Sequence, residues 1–277
     1  MTMTGIDASQ AGNIKALLAQ DDLSGALALM TEAVRHAPQD LGLRLVLIDL
    51  LILSEDWERA DNQARMASTI APNEAVGLSL LRREIRGMHA RTRWYEDAAV
   101  PDFPDGPTSA DQISLRLALA LRENDGHAAT EAFEALSQIQ PARLCWNGGA
   151  PGDFRDLDDR LPHALEAVTT GGAYLWIDFS KIARIDFAAA SRPRDLAFRP
   201  AQLRLLDGSS AEILVPALYY ARGTQTNAVR LGRETGWTDG PGGIVTGYGQ
   251  RCFFAGEAMV AIAEANSIVR GESIGDG

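Results

Sequence analysis

The sequence predicts a multidomain α+β protein, in which a tetratricopeptide-like α-α superhelix is followed by a β-rich α+β domain. Two observations favour this class. Helical patterns near the N-terminus recur at a step of 34 residues, which is the length of one tetratricopeptide repeat. From about Trp146 onward, short apolar runs alternate with turn residues, as is typical of antiparallel strands. We therefore expect a helical domain over residues 1–143 and a β-rich domain over residues 144–277.

The repeat consists of two stretches, LSGALALMTEAVRHAP at residues 23–38 and WERADNQARMASTIAP at residues 57–72. Their alignment superimposes small residues and a final proline: Ala26 on Ala60, Ala33 on Ala67 and Pro38 on Pro72. Small residues suit a helix that crosses its neighbour closely, and a proline ends that helix. Apolar residues beginning at Ile14 and Ile48 supply the first helix of each pair. A weaker third unit is expected over residues 112–141.

The segment 80–111 interrupts the repeats, and we expect this insertion to project from one face of the array. Its first half suits a helix to about Trp94, whereas the prolines of its second half require a loop. The helical half is rich in arginine and aromatic residues, which are the types that dominate protein interfaces. We predict a partner-binding strip formed by Arg82, Arg86, Arg91, Arg93 and Trp94. The alternative is a solvated helix face neutralised by Glu84, Glu96 and Asp97.

In the second half, the run RDLDDRLPHALEAV at residues 155–168 predicts a short helix that Gly171 and Gly172 end. Its N-terminus would hold three carboxylates, which the helix dipole favours there: Asp156, Asp158 and Asp159. Seven short strands are then predicted, at 174–179, 182–187, 202–206, 212–215, 244–248, 251–255 and 259–263. Turn residues at 207–208 and 256–257 indicate two hairpins. We expect a small antiparallel sheet or barrel.

Three stretches of this half carry a family resemblance: FRDLDDRLPHALEAVTTGGAYLWIDFSKIARIDF at 154–187, RDLAFRPAQLRLLDGSSAEILVPALY at 194–219 and GYGQRCFFAGEAMVAI at 247–262. They closely resemble the ImpE family, also called SciE-type or TagJ proteins, which are accessory components of bacterial type VI secretion systems. The helical opening at 17–63 is similar to that family as well, so the resemblance covers essentially the whole chain. One departure is Asp178, where the family often has proline in a W-x-P-F run.

The resemblance implies a non-enzymatic adaptor. The better-known proteins that this chain resembles bind TssB, the small subunit of the contractile sheath. They are also proposed to help bring the hexameric ATPase ClpV to contracted sheath for disassembly. No catalytic residue, cofactor or metal is implied. A generic tetratricopeptide-type scaffold for another partner remains an alternative, because stacked helix pairs present surfaces that hold many kinds of segment.

Composition and charge agree with a cytoplasmic protein that binds other proteins. The formal net charge is −11, which disfavours nucleic acid as a partner because like charges repel. We find no leader pattern and no apolar run long enough for a membrane helix. The cysteines Cys145 and Cys252 are far apart, and we expect buried free thiols.

Sequence motifs for chemistry are weak. The four histidines fall in separate segments without metal-ligand spacing. The glycine-rich stretch at 239–250 lacks the lysine of a phosphate loop, so strand turns explain it better. An enzyme or small-ligand site would have to combine Cys145, His163 and Asp178 at the domain junction, but no oxyanion or nucleophile-elbow motif accompanies them.

Overall fold

The computed structural model describes residues 8–97 and 99–271. Seven helices form the N-terminal half of this described part: α1 Ala8–Ala19, α2 Leu23–His36, α3 Leu41–Leu53, α4 Trp57–Ile70, α5 Ala75–Asp97, α6 Ser109–Glu123 and α7 Gly126–Ser137. Among the described helices, none combines the length and the hydrophobicity that crossing a membrane requires.

The helical repeat is confirmed. The second helices of the two pairs, α2 and α4, begin and end 34 residues apart. Each begins after an aspartate, Asp22 or Asp56, whose carboxylate accepts a hydrogen bond from a backbone N–H of the first turn. The aligned alanines Ala26, Ala60 and Ala67 are completely buried, as expected where helices approach closely.

Helix α5 does not project from the repeats, contrary to the expectation for an insertion. It packs on α4 at its start, and its later turns lie against the sheet, because its apolar residues face inward: Leu78, Leu81, Ile85 and Met88. The approach is closest at Gly87, where an added Cβ would lie 2.5 Å from Val168 Cγ1 and 2.9 Å from the Gly172 carbonyl oxygen. The loop after α5 also joins the sheet, since Asp102 exchanges backbone hydrogen bonds with Tyr174 and Trp176.

Thirteen strands follow in the described chain: β1 Ala142–Trp146, β2 Gly152–Asp156, β3 Ala164–Thr169, β4 Tyr174–Asp178, β5 Ile182–Phe187, β6 Phe198–Leu205, β7 Ser210–Pro216, β8 Leu218–Tyr219, β9 Thr235–Asp239, β10 Val245–Gln250, β11 Cys252–Ala255, β12 Ala258–Ala261 and β13 Ser267–Arg270. A short helix, α8 Asn227–Arg230, precedes β9. Ten strands form one sheet in the order β12-β11-β2-β1-β13-β5-β6-β7-β3-β4, and a second sheet has the order β8-β10-β9. Both are antiparallel, and the main sheet is larger than the small one expected.

The two predicted hairpins are confirmed as β6–β7 and β11–β12. Their turns contain Gly208 and Gly256, both at positive φ, a conformation that glycine adopts without strain. The glycine-rich stretch near residue 245 likewise forms turns and the strand β10, as expected.

The predicted helix over 155–168 is wrong. The segment forms the end of β2, a turn and β3. Residues 164–168 of β3 are buried without a break, because helix α5 covers one face of that strand and the rest of the sheet core lies on the other. The three aspartates are buried in polar contacts rather than placed at a helix N-terminus.

The helical half and the β-rich half share one apolar core. The cluster that fills the repeats continues to sheet residues such as Val168, Trp176 and Phe198. Trp57 of α4 packs edge-on against Phe198 of β6, with ring centroids 6.2 Å apart. An ion pair also crosses this junction, since the half-buried Arg192 donates to the buried Asp49 of α3 at 2.7 and 3.0 Å.

Candidate binding cleft

The structure exposes some residues of the arginine strip predicted on α5 and buries others. Arg86 and Arg93 are exposed, and Arg82 is half-buried in a bidentate pair with Asp61, with both distances 2.8 Å. Arg91 and Trp94 are only 4% and 3% exposed, so neither is available on the outer face of α5 with Arg86 and Arg93. Both side chains are buried because α5 turns that side toward β3 and β4.

Arg91 instead takes part in a buried ionic network. Glu166 of β3 accepts two hydrogen bonds from Arg91, at 2.9 and 3.0 Å, and another from Arg251. The hydroxyls of Tyr95 and Tyr174 also donate to this carboxylate. Burial alone would raise the pKa of Glu166, but the charges of Arg91 and Arg251 hold it well below its ordinary value. The network joins α5 to the sheet through charge as well as packing.

A second carboxylate, Asp156, extends the network. It accepts hydrogen bonds from Arg251 at 3.1 Å and from the Tyr219 hydroxyl at 2.9 Å. Burial raises the pKa of Asp156 to about 7, although the charge of Arg251 opposes this. Nearby, the two carboxylate oxygens of Asp158 accept hydrogen bonds from Arg160 Nε, at 2.8 and 3.1 Å. Arg160 also donates to the Tyr220 carbonyl oxygen at 3.0 Å.

Beside this network lies a cleft of about 580 Å³. Helices α5 and α6 form one wall, the second sheet and the chain after β8 form the opposite wall, and Trp176 of β4 also lines it. Its aromatic residues pack in two pairs: Trp94 with Trp176 edge-on at 4.9 Å, and Tyr95 stacked on Tyr220 at 4.4 Å. Both pairs lie between elements that are distant in sequence, so only the folded chain creates the cleft.

Three arginines line the cleft: Arg122, Arg160 and Arg222. The Arg122 guanidinium lies 4.5 Å from the Trp94 ring centroid and donates to the Trp94 carbonyl oxygen. The Arg160 guanidinium lies 5.0 Å from the Tyr95 ring centroid. Burial lowers the pKa of Arg122, and the neighbouring charge of Arg222 lowers it further. The cleft is thus aromatic and cationic on a chain that is acidic as a whole.

The junction residues Cys145, His163 and Asp178 do not form one group in the described structure. His163 Nε2 lies 2.9 Å from Asp111 Oδ1, and the Thr108 hydroxyl lies within 2.9 Å of carboxylate oxygens of both Asp111 and Asp178. Cys145 lies in β1, where it pairs with Val269 in register. Both cysteines are free thiols, as expected, although Cys145 is half-buried.

The donor atoms of Asp111, His163 and Asp178 lie within 4.8 Å of one another, which is close enough for one metal ion. Sequence spacing gave no sign of this group. Asp111 completes the capping box of α6 with Thr108, and Asp178 accepts from the Ser180 backbone N–H at 2.7 Å. Because protein groups already occupy these atoms, we interpret the group as a polar connection between α6 and the β3–β4 hairpin.

Comparisons with known proteins agree with this architecture. Residues 148–269 match the family model described as ImpE protein, and residues 17–83 match a tetratricopeptide repeat. The sequence is 30% identical over 269 residues to the type VI secretion system accessory component TagJ of Pseudomonas aeruginosa, with 91% of this chain and 89% of TagJ covered. The chain belongs to the ImpE family.

Membership of the ImpE family confirms the resemblance carried by the C-terminal stretches. The likeness extends to the complete fold. The crystal structure of protein VPA1032 from Vibrio parahaemolyticus superposes with a TM-score of 0.85 at 25% sequence identity, covering 95% of this chain and 98% of that one. The packing of the helical repeats on the β-rich half is therefore shared by this ImpE chain and the Vibrio protein.

The sequence did not reveal the arginines of the cleft. Arg122 lies in the last turn of an ordinary amphipathic helix, and Arg160 and Arg222 lie in irregular segments. Their only shared signal is arginine near turn residues, as in YYARG at 219–223, which is too common to mark a site. Their proximity depends on how α6 and the second sheet pack in this ImpE chain.

Proposed function

We propose that this chain is a non-enzymatic cytoplasmic adaptor of a type VI secretion system, which binds the TssB-type sheath small subunit and helps recruit the ClpV-type disassembly ATPase. The observation that carries the proposal is the similarity to the accessory component TagJ along nearly the whole of both chains. The repeat helices support an adaptor role because stacked helix pairs expose surfaces suited to a partner's helix or extended segment.

Two surfaces of the helical half could hold the sheath subunit. One is the accessible part of the predicted strip on α5, formed by the exposed Arg86 and Arg93 and the half-buried Arg82. The other is a groove of about 650 Å³ between α2, the start of α4 and α8, lined by residues such as Leu27, Arg59 and Asn227. Arg91 and Trp94 are not part of either surface, because both are buried.

The proposal is tested by measuring the affinity of the purified chain for the purified sheath small subunit by biolayer interferometry. We expect saturable binding. The double variant Arg86→Glu, Arg93→Glu should weaken it if the strip is the contact, whereas the double variant Arg116→Glu, Arg204→Glu, at exposed positions on α6 and β6, serves as the charge-matched control. No binding by the unmodified chain would refute the assignment of this partner.

The ATPase part of the proposal has its own test. A ternary mixture of chain, sheath subunit and ATPase should elute together in size-exclusion chromatography, and omission of the chain should reduce the amount of ATPase in that peak. Equal co-elution with and without the chain would remove the recruiting role while leaving sheath binding intact.

A further inference from the structure

We propose that the cleft between α5, α6 and the second sheet is a docking site for an acidic segment of a protein partner. Carboxylates of that segment would pair with Arg122 and Arg222, and a neighbouring aromatic or long aliphatic side chain would pack on the half-buried Tyr248 ring and the other apolar lining of the cleft. With the sheath subunit as the partner, this inference rests on the proposed function.

The first argument is the balance of charge. Arg160 is neutralised inside the chain by Asp158, which it contacts through several hydrogen bonds. Arg122 and Arg222 differ, because neither has a carboxylate oxygen within 4.0 Å among the described residues, and the charge of Arg222 adds to burial in lowering the pKa of Arg122. The C-terminal dipole of α6 and the Trp94 ring stabilise Arg122. Neither feature acts on Arg222, so an anion bound near both guanidinium groups would offset their mutual repulsion.

The second argument concerns which anion fits. Phosphate sites usually present several free backbone N–H groups. Here the nearby backbone N–H groups of Gly247 and Val245 donate to Asp158 at 3.0 Å and to Asp159 at 2.9 Å, so they are already occupied. The negative end of the α6 dipole also lies at this side, which disfavours a doubly charged group. A carboxylate, with one charge and a shape that matches the guanidinium fork, suits the site better.

The third argument is the apolar lining. Trp94, Trp176 and Tyr248 line the cleft beside the arginines, together with Leu121 and Leu161. A volume of about 580 Å³ lies within the range of sites that enclose a compact ligand. Aromatic residues and arginine around one concave centre are also the combination that dominates protein interfaces. An acidic segment with an apolar side chain complements both the charge and the surface.

The first test uses the sheath small subunit. Arg222→Glu is the main variant, because Arg222 is exposed and its replacement should not disturb folding. Arg122→Gln is the second variant, and Arg204→Glu on the exposed side of β6 is the matched control outside the cleft and outside the α5 strip. We expect Kd to rise about 10-fold or more for Arg222→Glu and to change less than about 2-fold for Arg204→Glu. Unchanged thermal melting will show that each variant is folded. Wild-type affinity in both cleft variants would overturn the inference.

A second probe separates this inference from the proposed function. The fluorescein-labelled peptide Glu-Leu-Trp-Glu is titrated into the full chain by fluorescence anisotropy, beside its Gln-Leu-Trp-Gln analogue. We expect saturable binding of the acidic peptide, and loss of that binding in the analogue and in Arg222→Glu. Should the sheath subunit fail to bind while this peptide pattern holds, the partner is wrong and the cleft assignment stands. Equal behaviour of the two peptides, or displacement by inorganic phosphate at the same concentration as by unlabelled peptide, would overturn the cleft assignment.

Discussion

Replacing Glu166 by glutamine removes a carboxylate that joins two buried arginines. The side chain has no exposed surface, and its oxygens accept hydrogen bonds from Arg91 at 2.9 and 3.0 Å as well as from Arg251. Glutamine keeps the shape but not the charge. Arg251 would retain Asp156, whereas Arg91 would keep only hydrogen-bond acceptors such as the Leu218 carbonyl oxygen. The perturbation therefore leaves a buried cation without its counter-charge.

The expected cost follows from that imbalance. Removing one member of a buried ion pair typically costs about 3–5 kcal/mol, and we expect about 3 kcal/mol here because one of the two arginines remains paired. For a chain of this size the melting temperature should fall by about 6–12 °C. Urea unfolding at pH 7, followed by circular dichroism, measures the free energy of unfolding.

The exposed residue Glu212 on β7 supplies a matched control. Glu212→Gln should change the free energy of unfolding by less than about 0.5 kcal/mol. The pKa of Glu166 lies below its ordinary value of 4.5, so its stabilisation is present above about that pH and is lost as pH falls through the lower folded value. The difference between wild type and Glu166→Gln should accordingly shrink in acid. A cost below about 1 kcal/mol at pH 7 would refute the reasoning.

Three further predictions concern residues around the same junction. Burial raises the pKa of Asp156 from 3.8 to about 7, so its contribution to stability is lost as pH rises through about 7. In urea unfolding, Asp156→Asn should therefore lower the free energy of unfolding less at pH 8 than at pH 5. The reverse order would contradict this. Arg91→Met should lower the melting temperature, whereas Arg86→Met on the exposed face of α5 should not; equal melting curves would argue against the buried pair. Zinc should leave the melting temperature unchanged, because His163 already binds Asp111; a rise that His163→Gln abolishes would instead show a metal site.

The helical half was largely predictable because its information is local. Helix caps, the apolar spacing and the terminal prolines of α2 and α4 all fall within a few turns of chain, and the step of 34 residues repeats them. The hairpin at Gly208 was predictable for the same reason, since a short turn containing Asp207 and Gly208 brings β6 and β7 together directly.

The strands that escaped prediction depend on distant partners. β1 pairs with β13, matching Leu144 with Arg270, and β2 pairs with β11, matching Asp156 with Phe253. Nothing near these segments signals such pairing. β3 was misread as part of a helix because a strand covered on both faces loses the alternation that identifies strands in sequence.

The sequence by itself determined the family, the paired helices and the order of helical and β-rich halves, because these depend on patterns within short stretches. Only the tertiary structure decided which arginines of α5 are available to a partner. Arg91 meets Glu166 across 75 residues of chain, whereas Arg86 on the same helix stays in solvent. A helical pattern shows which side chains share a face, but burial of that face depends on the elements that pack against it. The same packing brings Arg122 and Arg222 together in one cleft.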